Sequence, residues 1–292
     1  MVRFVNLTLS GITDGTVYAA VALALVLIWR STRIVNFAQG GMLMFTTFLG
    51  WTVLRHGGSY WLALAVALGA GLVLGSLAEL VLIRPVENKP PLNAVIVTLG
   101  LLVLLQAGAG MLWGGTPRSY PPAFGIRGYS VGGTRLLLSN ADVFMIAAVA
   151  GVMVLLVLLF RRTSLGLSMR AAAFAPEVAR LLGVRVGRML TLGWALAALV
   201  GSLAGVLIAP SVFLGPNQFD QVLVYGFTAA IIGGLDSPVG AVVGGLVVGC
   251  VLSYVSGYVS SDITTFAAFV VLIAVLMLRP AGLFARPAER RV

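Results

Sequence analysis

The chain has 292 residues, of which 60% are hydrophobic and only 10% charged, with a formal net charge of +10. Soluble domains carry roughly 25% charged residues, so a soluble core is excluded and a bilayer is the solvent that suits this composition. The basic residues stand in small clusters between apolar runs, the pattern of membrane loops, which excludes nucleic acid as the partner their charge would otherwise suggest.

Inside a bilayer every backbone polar group must be paired internally, which leaves helices or a closed barrel. A barrel needs short segments of alternating polarity; this sequence has long unbroken apolar runs. The expected fold class is all-α, a polytopic transmembrane helical bundle forming one domain over 1–292. Spans are expected near 9–28, 38–54, 61–83, 92–113, 142–160, 189–209, 221–235, 239–257 and 263–278. A crossing takes about 20 residues, so the second, seventh and ninth runs are short, and the second and seventh are also rich in glycine. Tilted, broken or re-entrant helices fit them, and about 8–9 crossings are expected. The first run follows Arg3 and continues through Ile28 to Arg30 and Arg33. A cleavable signal core is shorter, roughly 7–15 residues, so this run reads as the first span.

Orientation follows from the basic residues. If the loop after the fifth span is cytoplasmic, Arg161, Arg162, Arg170, Arg180, Arg185 and Arg188 lie inside. Alternation then puts Arg30, Arg33, Arg84, Lys89, Arg279, Arg286, Arg290 and Arg291 on the same side, 14 of the 19 Lys and Arg residues in all. The positive-inside rule therefore predicts an outside N-terminus and a cytoplasmic C-terminus.

Several residues invite chemistry and are weaker than they look. Gly128-Tyr129-Ser130-Val131-Gly132 fits the G-x-S-x-G nucleophile elbow by letter. That motif needs a strand-turn-helix setting and a histidine base; here it lies in the Gly- and Pro-rich outside loop 114–141, and the one histidine, His56, sits in an Arg-His-Gly-Gly turn. Loop 114–141 fits a lid, a docking surface or a plain connector. The single cysteine, Cys250, excludes an internal disulfide and a cysteine-based metal site, and reads as packing. The only lysine, Lys89, follows Asn88, so there is no Gly-Lys-Ser/Thr phosphate loop and no nucleotide site of the chain's own. Asp14, Glu79, Asp142, Asp220, Asp236 and Asp262 fall near span ends or loops, which weakens an ion-coupled carrier without removing it. Small residues four apart recur at Gly71/Gly75, Gly201/Gly205, Gly240/Gly244 and Gly245/Gly249, the spacing of closely packed helices.

Segment 161–188 is the most informative. Pro176 suits a first helical position, Glu177 complements the helix N-terminus, Arg180 lies toward the other end and Gly183 suits a C-terminal cap. Val178, Leu181 and Leu182 share one apolar face of this short helix. Such a helix suits either another protein's groove or the lipid surface.

The same segment resembles the cytoplasmic coupling loop of ABC importer permeases, in particular the branched-chain amino acid permeases of the LivH type. Gly15-Thr16-Val17-Tyr18-Ala19 in the first span resembles that family too. So do Val35-Asn36-Phe37-Ala38-Gln39-Gly40-Gly41 at the second span, Phe227 to Ala241 with its glycine-rich break, and the tail Arg279-Pro280-Ala281-Gly282-Leu283-Phe284. Gln39 stands where the family commonly has histidine, so a titrating role there is absent. The resemblance implies an inner-membrane permease without catalysis or cofactor. It implies a second homologous permease, two cytoplasmic ATPase subunits and a periplasmic substrate-binding protein as partners. On this chain it assigns ATPase coupling to Arg170, Pro176, Glu177, Val178, Arg180, Leu181, Leu182 and Gly183, and a helix break to Gly233, Gly234, Pro238 and Gly240. Tyr18, Asn36, Gln39 and Gly40 are the expected pathway residues, with plain helix–helix hydrogen bonding as the alternative for the two amides. Permeases for urea and short-chain amides look similar, so the substrate stays open between these and branched-chain amino acids.

Overall fold

An apolar run can pair its own backbone only by coiling, and the chain does so almost throughout. The computed structural model describes residues 2–87, 89–131, 134–279 and 282–284. Asn88, Gly132, Pro280, Ala281, Arg286, Arg290 and Arg291, all used above, lie outside the described residues. The helices are α1 (Val2–Thr32), α2 (Gln39–Arg55), α3 (Tyr60–Leu77), α4 (Pro91–Trp113), α5 (Asn140–Arg162), α6 (Ser164–Phe174), α7 (Pro176–Leu181), α8 (Val186–Val212), α9 (Asp220–Gly233), α10 (Pro238–Tyr258) and α11 (Thr264–Leu278). After Leu77, α3 widens into a π-helical stretch, Ala78–Ile83, and closes with a 3-10 turn, Arg84–Val86.

Among the described residues, six helices are long and apolar enough to cross a membrane: α1, α3 with its continuation, α4, α5, α8 and α10. The three runs expected to be short are short: α2, α9 and α11 have 17, 14 and 15 residues. Helix starts are written locally. Ser59 accepts from the Leu62 amide, Ser237 from the Gly240 amide, and Ser139 and Asp142 form a reciprocal capping box at α5.

The two central helices are α1 and α8. Their most apolar windows are 89% and 83% buried, against 22% for α4 and 17% for α5, which therefore form the lipid-facing rim. Glycines set the closest approaches. A methyl group on Gly249 would meet the Gly11 carbonyl and the Gly15 Cα, both at 2.3 Å, so α10 and α1 touch backbone to backbone. The other small-residue pairs also form seams: Gly71/Gly75 against α8, Gly201/Gly205 against α2 and Gly240/Gly244 against α9.

The bundle has two unlike ends. At one, the basic end, the C-terminus of α1 meets the α9–α10 turn through the Arg33–Asp236 ion pair, 2.5 Å, and Arg84 reaches the Gly187 carbonyl at the start of α8. At the other, β1 (Gly128–Val131) and β2 (Thr134–Ser139) pair antiparallel, with Gly128 opposite Ser139 and a register shift between Gly128 and Ser130. The Leu137 amide donates to Asn6 of α1 at 3.0 Å, which fastens this hairpin onto the bundle. Loop 114–141 is therefore partly strand, and Gly128 to Val131 of the serine motif form β1, which pairs with a strand rather than leading into a helix.

Candidate functional site

The short helix α9 organises the interior. It is wedged between α1 and the start of α2; two of its residues meet expected pathway positions, and a third meets Phe37 beside them. Leu223 packs on Gly40, where an added methyl would meet its side chain at 3.1 Å. Tyr225 meets Tyr18 edge-on, with centroids 5.2 Å apart, and its hydroxyl lies 3.0 Å from that of Thr265 on α11. Phe227 packs on Phe37 at 6.0 Å. Residues 223 and 227 share one face at the four-residue spacing, which fixes why one side of α9 serves α2 and another serves α1.

Asn36 and Gln39 are both fully buried. Asn36 Oδ1 accepts from the Ala38 amide at 3.0 Å, turning the chain into α2. Asn36 Nδ2 donates to Gln39 Oε1 at 3.1 Å, and Gln39 Nε2 donates to the Ala197 carbonyl of α8 at 3.3 Å. Gly201 leaves the space that Gln39 fills. These amides therefore pack α2 onto α8. Tyr18 and Gly40 share α9 as a wall, whereas Gln39 turns away from them toward α8.

Ahead of α9 the chain does something the sequence did not announce. Residues 213–219 enter the bundle without helical pairing. Non-helical backbone at membrane depth is tolerated only where protein buries it or water lines it. Here Leu214 and Phe219 are buried, and Leu214 exchanges both backbone hydrogen bonds with Arg118, each 2.8 Å. Asp220, at the head of α9, accepts from Gln106 of α4 at 2.9 Å. Gln106 lies seven residues before the end of α4, about 10 Å along a helix. An amide deep inside the apolar run 92–113 was the signal available for it. Beside this segment Tyr120 is buried beneath Gly50 and Tyr60, and burial pushes its phenol pKa up, so the hydroxyl stays neutral.

The glycine-rich break is a turn between two antiparallel helices. α9 ends at Gly233, Gly234 takes φ +90°, and α10 starts at Pro238 with Gly240 bound to the Ser237 hydroxyl. Gly233 and Gly240 approach so closely that a methyl on either would meet the other's carbonyl at 2.1 Å. The tail returns to this turn. The Leu283 amide donates to the Ile232 carbonyl at 2.8 Å, and Gly282 sits against Gly234. Two motifs far apart in the sequence thus form one tight junction.

At the basic end, α5 breaks at Thr163, whose hydroxyl caps α6 through the Gly166 amide at 3.1 Å. α7 follows, and its end is a Schellman motif: the Val184 amide bonds the Ala179 carbonyl, the Gly183 amide bonds the Arg180 carbonyl, and Gly183 takes φ +83°. Ala179 is buried with Ala172, Val186 and Leu190 in a small core of its own. That core fastens α7 to α8 and leaves the opposite face bare: Val178, Leu181 and Leu182 are 55%, 87% and 77% exposed.

Glu79, Asp142 and Asp236 are held by this geometry. Glu79, only 1% exposed, receives Arg84 at 3.0 Å and the Thr191 hydroxyl of α8 at 2.7 Å. It is a structural ion pair that ties the π-helical stretch to the 3-10 turn after it. Asp142 caps α5 and Asp236 pairs with Arg33. Asp14 is half-buried on α1, one turn before Tyr18.

The family described as "Branched-chain amino acid transport system / permease component" matches residues 7–278. The chain is 26% identical over 302 residues to the high-affinity branched-chain amino acid transport system permease protein LivH of Escherichia coli strain K12, covering 99% of this chain and 98% of that one. It is 27% identical over 305 residues to the corresponding permease protein BraD of Pseudomonas aeruginosa, with the same coverage. Among solved structures, PsaBC from Streptococcus pneumoniae in complex with Fab superposes with a TM-score of 0.51 at 15% identity, covering 98% of this chain and 92% of that one, a likeness of fold. With a bundle of apolar helices, a glycine-paired helix break and a family match over nearly its whole length, the chain belongs to the permease components of branched-chain amino acid transport systems.

Proposed function

We propose that this chain is the membrane-spanning permease subunit of a binding-protein-dependent ABC importer that carries branched-chain amino acids across the bacterial inner membrane. Energy comes from two separate ATPase subunits at the basic end, which is cytoplasmic. A periplasmic binding protein delivers substrate at the hairpin end, and a second homologous permease completes the pathway.

The observation that carries this reading is α7. Its apolar face of Val178, Leu181 and Leu182 is bare, while Ala179 anchors the helix behind it. Burying one leucine side chain is worth roughly 1.5–3 kcal/mol, so this face suits a groove on an ATPase, with Glu177, Arg180 and Arg170 setting register and Pro176 and Gly183 fixing the helix ends. The pathway runs beside α9, where Tyr18 and Gly40 meet Tyr225 and Leu223. Asn36 and Gln39 fix α2 against α8 behind it, and the turn through Gly233, Gly234, Pro238 and Gly240 is the joint about which α9 moves.

Leu181→Asp tests the reading. The variant is expected to insert normally but to lose co-purifying ATPase subunits and ATP-driven uptake of leucine into proteoliposomes. Normal uptake with normal ATPase retention refutes the coupling role. Uptake of urea in place of leucine by the intact complex refutes the substrate.

A further inference from the structure

Three arginines converge at the basic end, in a cavity that no residue of α7 lines, although Arg170 also sits in the proposed ATPase contact. Arg30 and Arg33 end α1, and Arg170 comes from α6; together they line a cavity of about 320 Å³. Leu27, Phe160 and Phe174 form its apolar wall. The charges acting on Arg30 are those of Arg33, Arg170 and Asp236. Asp236 is already held by Arg33 at 2.5 Å, so three guanidinium groups face one carboxylate. Arg170 Nε is spent on the Gly166 carbonyl of its own helix at 3.3 Å. The cavity keeps a net positive charge.

The placement is built rather than incidental. Arg33 adopts φ +57°, a left-handed conformation unusual for a residue with a side chain. Its guanidinium pairs with Asp236 and lies over the Trp29 ring, 5.7 Å from the centroid. The strained residue turns the chain away from α1 while its guanidinium stays beside the cavity.

We propose that this cavity binds the phosphodiester headgroup of an anionic phospholipid from the adjoining leaflet. Guanidinium groups present paired N–H donors that match phosphate oxygens, and basic pockets between spans recognise anionic headgroups. The apolar wall selects a lipid over free phosphate. Phe160 belongs to α5, whose Val154, Leu155 and Leu158 are exposed toward the lipid, and Phe174 is 88% exposed at the mouth. An acyl chain therefore continues from the cavity onto the surface of α5. The bound lipid bridges α1, α5 and α6, and so braces the root of the helix pair α6–α7. The site needs only that the bundle spans a membrane, and it stands apart from the ATPase contact on Leu181.

The test uses the full chain purified in a neutral detergent. Phosphatidylglycerol is expected to raise its thermal midpoint by several degrees, whereas phosphatidylcholine and inorganic phosphate leave it unchanged. Native mass spectrometry is expected to retain one phosphatidylglycerol preferentially over phosphatidylcholine. Arg30→Gln, and separately Phe174→Asp at the mouth, are expected to remove most of the shift, while Arg162→Gln, next to but outside the cavity, keeps it. The proposal is overturned if inorganic phosphate reproduces the shift, if phosphatidylglycerol produces none, or if Arg162→Gln weakens it as much as the cavity variants. It is equally overturned if the cavity variants keep the full lipid shift yet lose the ATPase subunits, since the surface then belongs to a protein partner.

Discussion

Gln106 Nε2 donates to the Asp220 carboxylate at 2.9 Å, joining the interior of α4 to the head of the half-length helix α9. A hydrogen bond to a charged group contributes about 1.5–3 kcal/mol, and stranding the charge costs more than removing it. Gln106→Leu is therefore expected to destabilise the protein by about 2 kcal/mol, and Asp220→Leu by less, because a stranded amide is cheaper than a stranded carboxylate. Thermal unfolding of both variants in detergent checks the order; a reversed order would falsify the charge argument.

The Glu79–Arg84 pair gives a second asymmetry. Glu79 is buried while Arg84 is 42% exposed, so solvent screens one partner only. Arg84→Met leaves a buried carboxylate with Thr191 alone and is expected to cost about 2–3 kcal/mol, the lower end for a broken buried pair because of that screening. Glu79→Gln in the same chain is expected to recover much of the loss, since the amide still accepts from Thr191. A double-mutant cycle on thermal midpoints measures the coupling; strict additivity would exclude it.

Two glycines on different helices separate packing from propensity. Gly249 has the α1 backbone within 2.3 Å of an added methyl, whereas Gly151 on α5 has nothing within 4 Å. Gly249→Ala is expected to destabilise by about 1–3 kcal/mol through overpacking. Gly151→Ala is expected to stabilise by up to about 1 kcal/mol through helix propensity. Folded yield and thermal midpoint report both, and equal effects would mean that α1 and α10 are not in backbone contact.

Side assignment is open to single-cysteine labelling in a Cys250→Ser background. Val178→Cys, on the bare face of α7, is expected to react with an impermeant maleimide only after permeabilisation. Ile126→Cys, 72% exposed near the hairpin, is expected to react in intact cells. Labelling of position 178 from outside inverts the topology.

Much of the fold was legible because lipid removes alternatives: an apolar run of the right length has one way to satisfy its backbone. Element ends came from local chemistry, as at Pro176 and Gly183, and the short second, seventh and ninth runs from simple length. What stayed hidden depends on the third dimension. Nothing local pairs Gln106 with Asp220, 114 residues later, or brings Gly282 onto Gly234. The hairpin was hidden because its Gly- and Pro-rich surroundings read as a connector. Glu79, near a span end, weakened a carrier reading without removing it; only the fold shows Arg84, five residues on, and Thr191 of α8 holding it. Asn36 and Gln39 were legible as special, but their spacing alone could not distinguish a lining from a seam.

The central position of α1 bears on how the protein is made. Of the described helices, α1 is made before the others and ends most enclosed, and its backbone neighbour α10 is synthesised more than 200 residues later. At synthesis rates of about 5–20 residues per second, α1 spends on the order of ten seconds or more with Gly11, Gly15 and Asp14 facing lipid. During that interval it is an unfinished surface, open to chaperones, proteases or a second nascent chain. Damage to α10 would thus register as loss of the whole chain, and truncations before Pro238 should be cleared by the cell, because the first helix would never acquire its partner.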